Sequence, residues 1–485
     1  MKIFESIQNK KPTYKLLTTL KINKLSVDNV LCEVYLPERS VGSIELIFFI
    51  PPDQLKLIGY PFKFSMRGEI RSFEEKTITI IRADEVYSVK QPTRYWGCDI
   101  KETILLGKPR DLTVIELLKV NSENDSKELS RGSFWLTPSK MLTPFKLEEF
   151  SYTGHVTVKT VREIKFTLAN GVELNFDTHY KYKNIEHGET LVFSELVAEF
   201  ETERKLEDIK SIVTFLDDYL LLVSFAERKP CICVGWMAQN FSNLISYYRR
   251  DITIPKNHYY NHRDTLIDIQ YFDDFIKTVH DNYFKINQNR DLLTLSIYKA
   301  IDHSEGALEA SFMTLFSAIE NIVLFFRRNY QLEYSLPPEH WNNFKTYLKD
   351  YIKNYLKDKL KLEAQKRKFI YEKIEELNRI PFASVFKEFC SIYSINLEDL
   401  WPLTDTNKGI SLTNIRNKIV HGESFNPIQF RALMAAHQHL KWILERLILS
   451  FLGWPIEKSN VSIDYLLRNM TMAKGWEEHR KILTA

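Results

Sequence analysis

The spacing of apolar residues changes near Leu206, and this change divides the chain into two parts of different secondary structure. Before it, short segments rich in β-branched and aromatic residues predict strands, as in residues 44–50. After it, apolar residues recur at intervals of three and four, which predicts helices. The sequence therefore predicts an α+β protein, in which an antiparallel β-sandwich or barrel-like domain is followed by an all-α bundle.

Asn170-Gly171 gives the clearest hairpin in the first part of the chain. Residues 164–168 and 172–176 alternate apolar and polar side chains on either side of it. Because Asn-Gly favours positive φ angles, we expect a two-residue type I′ turn between two antiparallel strands.

With 485 residues, the chain is long enough for two or three domains. We predict a β-rich recognition or regulatory domain over 1–203, a mixed connecting region over 204–270, a helical domain over 271–455 and a C-terminal tail over 456–485. Within the helical part, the predicted helices are 271–285, 289–303, 306–328, 340–377, 382–393, 405–421 and 427–452.

Composition excludes several classes of function. Glycine occurs only 15 times, and neither G-x-x-x-x-G-K-[ST] nor G-x-G-x-x-G is present, which argues against nucleotide-dependent enzymes. The net charge is only +3, so a nucleic-acid site has to be a local patch. Five scattered cysteines, no signal peptide and no long apolar stretch predict a cytoplasmic protein without a membrane partner. We expect no metal and no cofactor.

One short motif near the end of the helical part carries groups that can act on a phosphodiester. On a helix with 100° per residue, Asn417 and His421 share one face, and Arg416 lies at its edge. Leu412, Ile415, Ile419 and Val420 are predicted to pack inward. Gly422 follows directly and suits a helix C-terminus.

This motif resembles the signature of the HEPN superfamily, in which an Arg, usually followed by a polar residue, precedes a His by four to six residues. The neighbouring helices, and the order of a β-rich half before a helical half, resemble the ApeA-like branch of bacterial anti-phage abortive-infection proteins. The resemblance is specific over roughly residues 290–455, and for the first half it concerns architecture alone.

The resemblance implies a metal-independent endoribonuclease that functions as a homodimer. His421 is the candidate general acid and base, Arg416 the phosphate ligand, and Asn417 a group that orients the histidine or the RNA. Glu320, on an earlier helix, is a candidate supporting acid or a solvated carboxylate. The N-terminal domain would sense a trigger, such as a phage-derived protein. The alternatives are a non-catalytic HEPN-like module that binds RNA or protein, and ordinary surface groups near a helix end.

A second candidate site is a basic segment over 341–380, with eleven Lys or Arg against six Asp or Glu. Two readings remain open for it. The lysines either follow an RNA backbone, or they form a solvated face of a helix whose aromatic stripe packs inward. The lysine row is Lys345, Lys349, Lys353 and Lys357, and the aromatic stripe is Phe344, Tyr347, Tyr351 and Tyr355. Farther along, His437 falls on an apolar stripe and is predicted to be buried, whereas His439 lies off it.

Overall fold

A computed structural model gives the fold, and it divides the chain into two compact units that are described separately. The first comprises Met1–Leu221 and Cys231–Asn261, and the second comprises Leu222–Pro230 and His262–Ala485. The four-part division at 203, 270 and 455 stays a prediction about domain organisation. The structure describes residues 11–37, 44–59, 61, 63–71, 78–88, 103–117, 129–150, 156–184, 190–240, 243–249, 265–286, 288–301, 307–404 and 409–484.

The first unit is built from antiparallel strands. Its helices are α1 (Pro52–Ile58) and most of α2 (Ile209–Glu227). The strands are β1 (Tyr14–Ile22), β2 (Leu25–Tyr35), β3 (Glu45–Ile50), β4 (Lys63–Arg71), β5 (Ile78–Ser88), β6 (Thr103–Pro109), β7 (Leu112–Leu117), β8 (Ser130–Leu136), β9 (Phe145–Phe150), β10 (Val156–Arg162), β11 (Ile164–Thr167), β12 (Glu173–Asn184), β13 (Thr190–Thr202), β14 (Cys233–Gln239) and β15 (Asn243–Tyr248).

Thirteen of these strands form one sheet in the order β11-β12-β13-β8-β14-β15-β7-β5-β4-β1-β2-β3-β6. An additional pairing between β5 and β6 closes six of them into a barrel. Closure removes the exposed edges that an open sheet would present. Alternate residues of these strands, such as Leu20, Val30 and Phe48, fill the barrel interior without solvent exposure. The predicted α+β class, with a barrel-like antiparallel region before the helices, is confirmed.

The hairpin at Asn170-Gly171 is present, but the predicted type I′ turn is wrong. Strands β11 and β12 pair so that Leu168 lies opposite Val172, which leaves a three-residue loop. Gly171 has φ +85°, and the Gly171 amide donates to the Leu168 carbonyl. Glycine alone supplies the left-handed conformation here, as in three-residue hairpins that end in a bulge.

The second unit is helical. After α2, which ends in this unit, its helices are α3 (Phe272–Lys285), α4 (Arg290–Ile301), α5 (Leu308–Asn329), α6 (Pro338–Asn354), α7 (Ala364–Ile374), α8 (Phe382–Ile392), α9 (Leu412–Val420), α10 (Pro427–Phe451), α11 (Ile463–Asn469) and α12 (Trp476–Thr484).

Two of the predicted helices have different bounds. The helix predicted over 340–377 is interrupted: α6 continues into a π-helical turn, Tyr355–Lys359, and Lys361 then takes a positive φ of 49° before α7 begins. The helix predicted over 405–421 begins only at Leu412. Ser411 and Asn414 form a capping box there, and such reciprocal hydrogen bonds fix a helix N-terminus.

Helices α5 and α10 form the core of this unit. Fourteen of the 25 residues of α10 are buried, and α5 buries nine, among them Phe312, Phe316 and Phe326. By length and composition alone, one described helix, α5, would suffice to cross a membrane. This is weak evidence for a membrane segment, because the core helix of a bundle has the same properties.

His439 is fully buried on α10, although the helical spacing placed it off the apolar stripe. Its ring lies among Trp401, Trp442 and Trp476. The Trp401 amide donates to Nδ1 at 3.1 Å, and Nε2 lies 2.9 Å from the Met472 carbonyl oxygen. These two contacts require a neutral ring with its proton on Nε2.

We therefore predict that His439 makes the stability of the helical unit sensitive to acid. Burial lowers the pKa of His439 to about 4, so the unfolded chain binds the extra proton first as the pH falls. Stability that is present above about pH 6.5 should be lost progressively towards pH 4. Urea unfolding of wild type and His439→Gln at pH 7 and pH 5 tests this. The variant should be less stable at pH 7 and less sensitive to acid, and parallel pH profiles would contradict the assignment.

Candidate active site

The helix that carries the Arg416 motif is short and has a defined structure at both ends. Ser411 and Asn414 cap its N-terminus, as described above. At its C-terminus the Gly422 amide donates to the Ile419 carbonyl, and the Glu423 amide donates to the Lys418 carbonyl. Gly422 has φ +78°, so these bonds form the Schellman motif that often ends a helix at glycine. The predicted helix end at Gly422 is present.

Arg416 lies at the edge of the helix and joins α9 to α5. Its Nη1 donates to Asn417 Oδ1 at 3.1 Å, and its Nη2 lies 3.6 Å from Glu320 Oε1. Its guanidinium also stands over the Phe316 ring, 5.8 Å from the centroid. The structure thus brings Arg416, Asn417 and Glu320 together. The Arg416–Glu320 pair is partly exposed, so it orients the arginine more than it stabilises the fold.

His421 occupies the C-cap position of α9 and is exposed to solvent. Its amide donates to the Asn417 carbonyl at 2.9 Å, so the two residues are one helical turn apart, as predicted. A histidine and an amide side chain on one exposed face, with an arginine at its edge, are accessible to a polymeric ligand. The catalytic roles of Arg416, Asn417 and His421 and the supporting role of Glu320 stay predictions.

The inward face of α9 is narrower than predicted. Leu412 and Ile415 are fully buried, and Ile419 is partly buried. Val420 is 52% exposed, because α9 ends there and its last turn extends beyond the core. This places an exposed apolar side chain directly beside His421.

The segment before α9 is held in place by Arg480 of α12, which the sequence analysis did not identify. Arg480 on α12 is buried, and it donates from Nε to the Ile410 carbonyl at 2.9 Å and from Nη2 to the Gly409 carbonyl at 2.7 Å. Lys418 of α9 also reaches the Leu483 carbonyl at 3.5 Å. The predicted C-terminal tail therefore contains a helix that positions the motif helix. Only the positive charge of Arg480 in an amphipathic segment offered a signal for it.

The basic segment lies on α6, the π-helical turn and α7, and its two rows of side chains form separate surfaces. Lys345 and Lys349 are partly buried, whereas Lys353 and Lys357 are exposed. Tyr347 and Tyr351 are 73% and 64% exposed, and Phe344 and Tyr355 are also exposed. The reading in which this aromatic stripe packs inward is wrong, because Trp341 and Leu356 occupy the inward positions instead.

In the β unit, a cleft of about 740 Å³ crosses strands β8, β12, β13, β14 and β15. Two charged pairs line it: His179 Nε2 lies 3.1 Å from Glu199 Oε1, and Arg131 Nε lies 3.1 Å from Glu201 Oε2. The sequence showed no partner for His179, because the pairing of β12 with β13 brings Glu199 near it from twenty positions away. All four side chains are about half exposed or more, so they are accessible to solvent in the cleft.

The described chain thus has a barrel-containing β region before a helical bundle, and it carries Arg416, Asn417 and His421 at the end of a capped helix. Residues 313–458 match the family model HEPN_Apea, described as Apea-like HEPN. The match identifies an Apea-like HEPN region in the helical unit, which extends from within α5 to the turn after α10. No curated protein and no solved structure matches the chain. The family indicates a ribonuclease-like or abortive-infection role.

Proposed function

We propose that this protein is a metal-independent endoribonuclease that acts as an anti-phage abortive-infection effector. The observation that carries the proposal is the cluster at the end of α9, where Arg416 contacts Asn417 and Glu320 and His421 lies one turn beyond, exposed. A purely structural arginine would be buried in the core, and a freely solvated arginine would have no neighbours that orient its guanidinium. Arg416 is oriented by its neighbours and remains partly open to solvent.

The reaction is attack by the RNA 2′-OH on the adjacent phosphorus. A base removes the 2′-OH proton, the oxygen attacks in line, and the 5′-oxygen leaves and takes up a proton from an acid. The products are a 2′,3′-cyclic phosphate and a 5′-OH. His421 supplies the base or the acid, since histidine has both forms available near neutral pH. Arg416 binds the phosphate through its forked donors, and Asn417 orients either group.

In-line attack places the base and the acid on opposite sides of the phosphorus, and one His421 cannot occupy both positions. A homodimer related by a two-fold axis would supply two copies of His421 and two of Arg416 to a single phosphate, and this symmetry is the commonest for oligomers. The exposed apolar side chains near the motif suit such an interface. They are Val420, Ile428, Phe430 and Met434.

The β unit is proposed to recognise the trigger, such as a phage-derived protein, and to have no catalytic role. Its cleft with the His179–Glu199 and Arg131–Glu201 pairs is a suitable surface, because exposed charged pairs can exchange partners at low cost. The protein acts in the cytoplasm in this proposal, without a cofactor. The alternative is a sensor that binds RNA or protein through the same helical unit and does not cleave.

Substitutions in the motif test catalysis. In EDTA, purified wild-type protein should cleave single-stranded RNA and leave 2′,3′-cyclic phosphate ends. His421→Ala should lower the rate by about 10²–10⁴-fold, the usual effect of losing a general acid or base. Arg416→Lys should be nearly inactive, because an ammonium cannot reproduce a planar two-donor contact. Asn417→Ala should lower the rate of cleavage less than either of these changes.

The matched control is His179→Ala, since His179 is about half exposed and lies in the β unit, which has no catalytic role in this proposal. It should retain the wild-type rate. Circular dichroism should be unchanged in all variants, because Asn417 and His421 are exposed and Arg416 is only partly buried. A folded His421→Ala variant that cleaves at the wild-type rate would refute the assignment. Wild-type protein that binds RNA without cutting it would support the alternative.

Light scattering tests the dimer. Wild type should have twice the 57.4 kDa mass of one chain. Phe430→Asp combined with Met434→Asp should give monomers and a large loss of cleavage, since both side chains are exposed apolar groups one turn apart on α10. Leu295→Asp, at an exposed leucine on α4, is the control and should remain dimeric. A monomer whose rate per chain does not depend on concentration would contradict the composite site.

Expression in bacteria tests the biological part of the proposal. Phage challenge of cells expressing wild-type protein should stop their growth and reduce phage yield, whereas cells expressing His421→Ala should support phage as the empty vector does. RNA from challenged cells should carry new 5′-OH ends only with wild type. Equal protection by His421→Ala would show that the defence does not use this site.

A further inference from the structure

The exposed aromatic stripe on α6 and the turn after it contributes little to the packing of the helical unit, apart from the Phe344 ring, whose centroid lies 6.0 Å from that of the buried Trp341. Phe344, Tyr347, Tyr351 and Tyr355 are all about half exposed or more. Among the side chains described in α6 and α7, only Trp341 and Ile374 are buried. A row of large apolar rings on a surface that the fold does not need is typical of a binding site.

The spacing of the rings suits stacked bases. Tyr347, Tyr351 and Tyr355 follow one another at intervals of four residues, so they lie on one side of the helix about 6 Å apart along its axis. Stacked bases are separated by about 3.4 Å. A base between two consecutive rings needs about twice this distance, which is close to the spacing of the tyrosines along the helix.

The groups around the stripe are those that accompany nucleic-acid binding. Asn343 and Asn354 are exposed on one flank and offer amide donors and acceptors. Lys359, four residues after Tyr355, is exposed at the end of the stripe. At 100° per residue, Lys353 lies on the opposite side of α6 from Tyr351. The bases would therefore contact the tyrosines, and the lysines would attract the phosphates at longer range.

The charge of the segment favours a polyanion over a second copy of the chain as the ligand of the stripe. Residues 341–380 carry a net charge of +5. Packing this surface against the same surface of a second copy would bring two such segments together, which like-charge repulsion disfavours. A polyanion is attracted instead, because the helix is about 10–12 Å in diameter and charges act over about 8–10 Å at physiological salt.

We propose that the stripe formed by Phe344, Tyr347, Tyr351 and Tyr355 binds single-stranded RNA by base stacking. The choice of RNA over DNA rests on the proposed ribonuclease function, because stacking does not distinguish the two. Stacking on aromatic rings tolerates any sequence, since every base has a flat face. The stripe therefore captures unpaired RNA without selecting the position of cleavage.

Fluorescence anisotropy tests this with the full-length protein and a labelled, single-stranded 2′-O-methyl RNA, which cannot be cut by 2′-OH attack. The triple variant Tyr347→Ala, Tyr351→Ala, Tyr355→Ala should bind at least about ten-fold more weakly. The corresponding three changes to Phe should leave the affinity within about two-fold, because the rings that stack are kept. A duplex of the same sequence should bind more weakly than the single strand, as its bases are already stacked.

Tyr180→Ala combined with Tyr298→Ala is the control, since both residues are exposed to a similar extent in other parts of the chain. It should bind like wild type. If the triple Ala variant does not fold, Tyr347→Ala alone is measured, because Tyr347 is the most exposed of the rings. Unchanged RNA affinity in the folded variant would overturn the proposal. If the mass of that variant in light scattering also changed, the stripe would be assigned to a protein contact.

The binding result is separate from the outcome of the cleavage assay. Wild type that binds the uncleavable strand through the tyrosines, but cuts no RNA, would support the stripe and refute the ribonuclease. Wild type that cuts RNA, while the triple variant binds as tightly as wild type, would support the ribonuclease and refute the stripe.

Discussion

Two buried charged residues in the C-terminal third of α10 determine how the helical unit is assembled. Arg446 is fully buried and donates through both Nη atoms to Asp399 at 2.6 Å, and its Nε donates to the Val461 carbonyl. Its neighbour Glu445 accepts two bonds of 2.6 Å from Arg228. Taking these charges out of water is costly, and the cost is offset only when every partner is in place. The core thus fixes three distant segments of the chain against one helix.

The candidate active site depends on this core indirectly and remains outside it. Helix α5 packs in the core and presents Glu320 and Phe316 towards Arg416. The C-terminal helix α12 holds the segment before α9 through Arg480. The candidate catalytic groups are therefore carried by elements that buried residues hold in place. This arrangement gives the partly exposed Arg416 a defined orientation and leaves the His421 side chain exposed.

Features that depend on neighbouring residues in the sequence could be predicted, whereas features that depend on distant residues could not. Pro427 and Gly422 act on their own backbone, so the start of α10 and the end of α9 were predictable. The burial of His439 and the role of Arg480 depend on partners more than thirty positions away, which periodicity does not reveal. Helical spacing did identify the aromatic stripe on α6. One of the two readings of that spacing placed the stripe on the inside, because apolar rings are usually buried, and the structure shows that these rings are exposed.

The motif at the end of α9 and the aromatic stripe on α6 would have different roles in the proposed recognition of RNA. The motif helix ends in a small polar cluster that can contact one phosphate, and such a contact alone binds RNA weakly. The α6 stripe offers several ring faces and no candidate acid or base, so it can retain a strand without acting on it. Two copies of the chain would add a second stripe, and linked weak sites bind one long ligand far more tightly than either does alone. In the proposed function, cleavage would then depend on both dimerisation and unpaired RNA of sufficient length, and these two conditions would restrict the proposed ribonuclease.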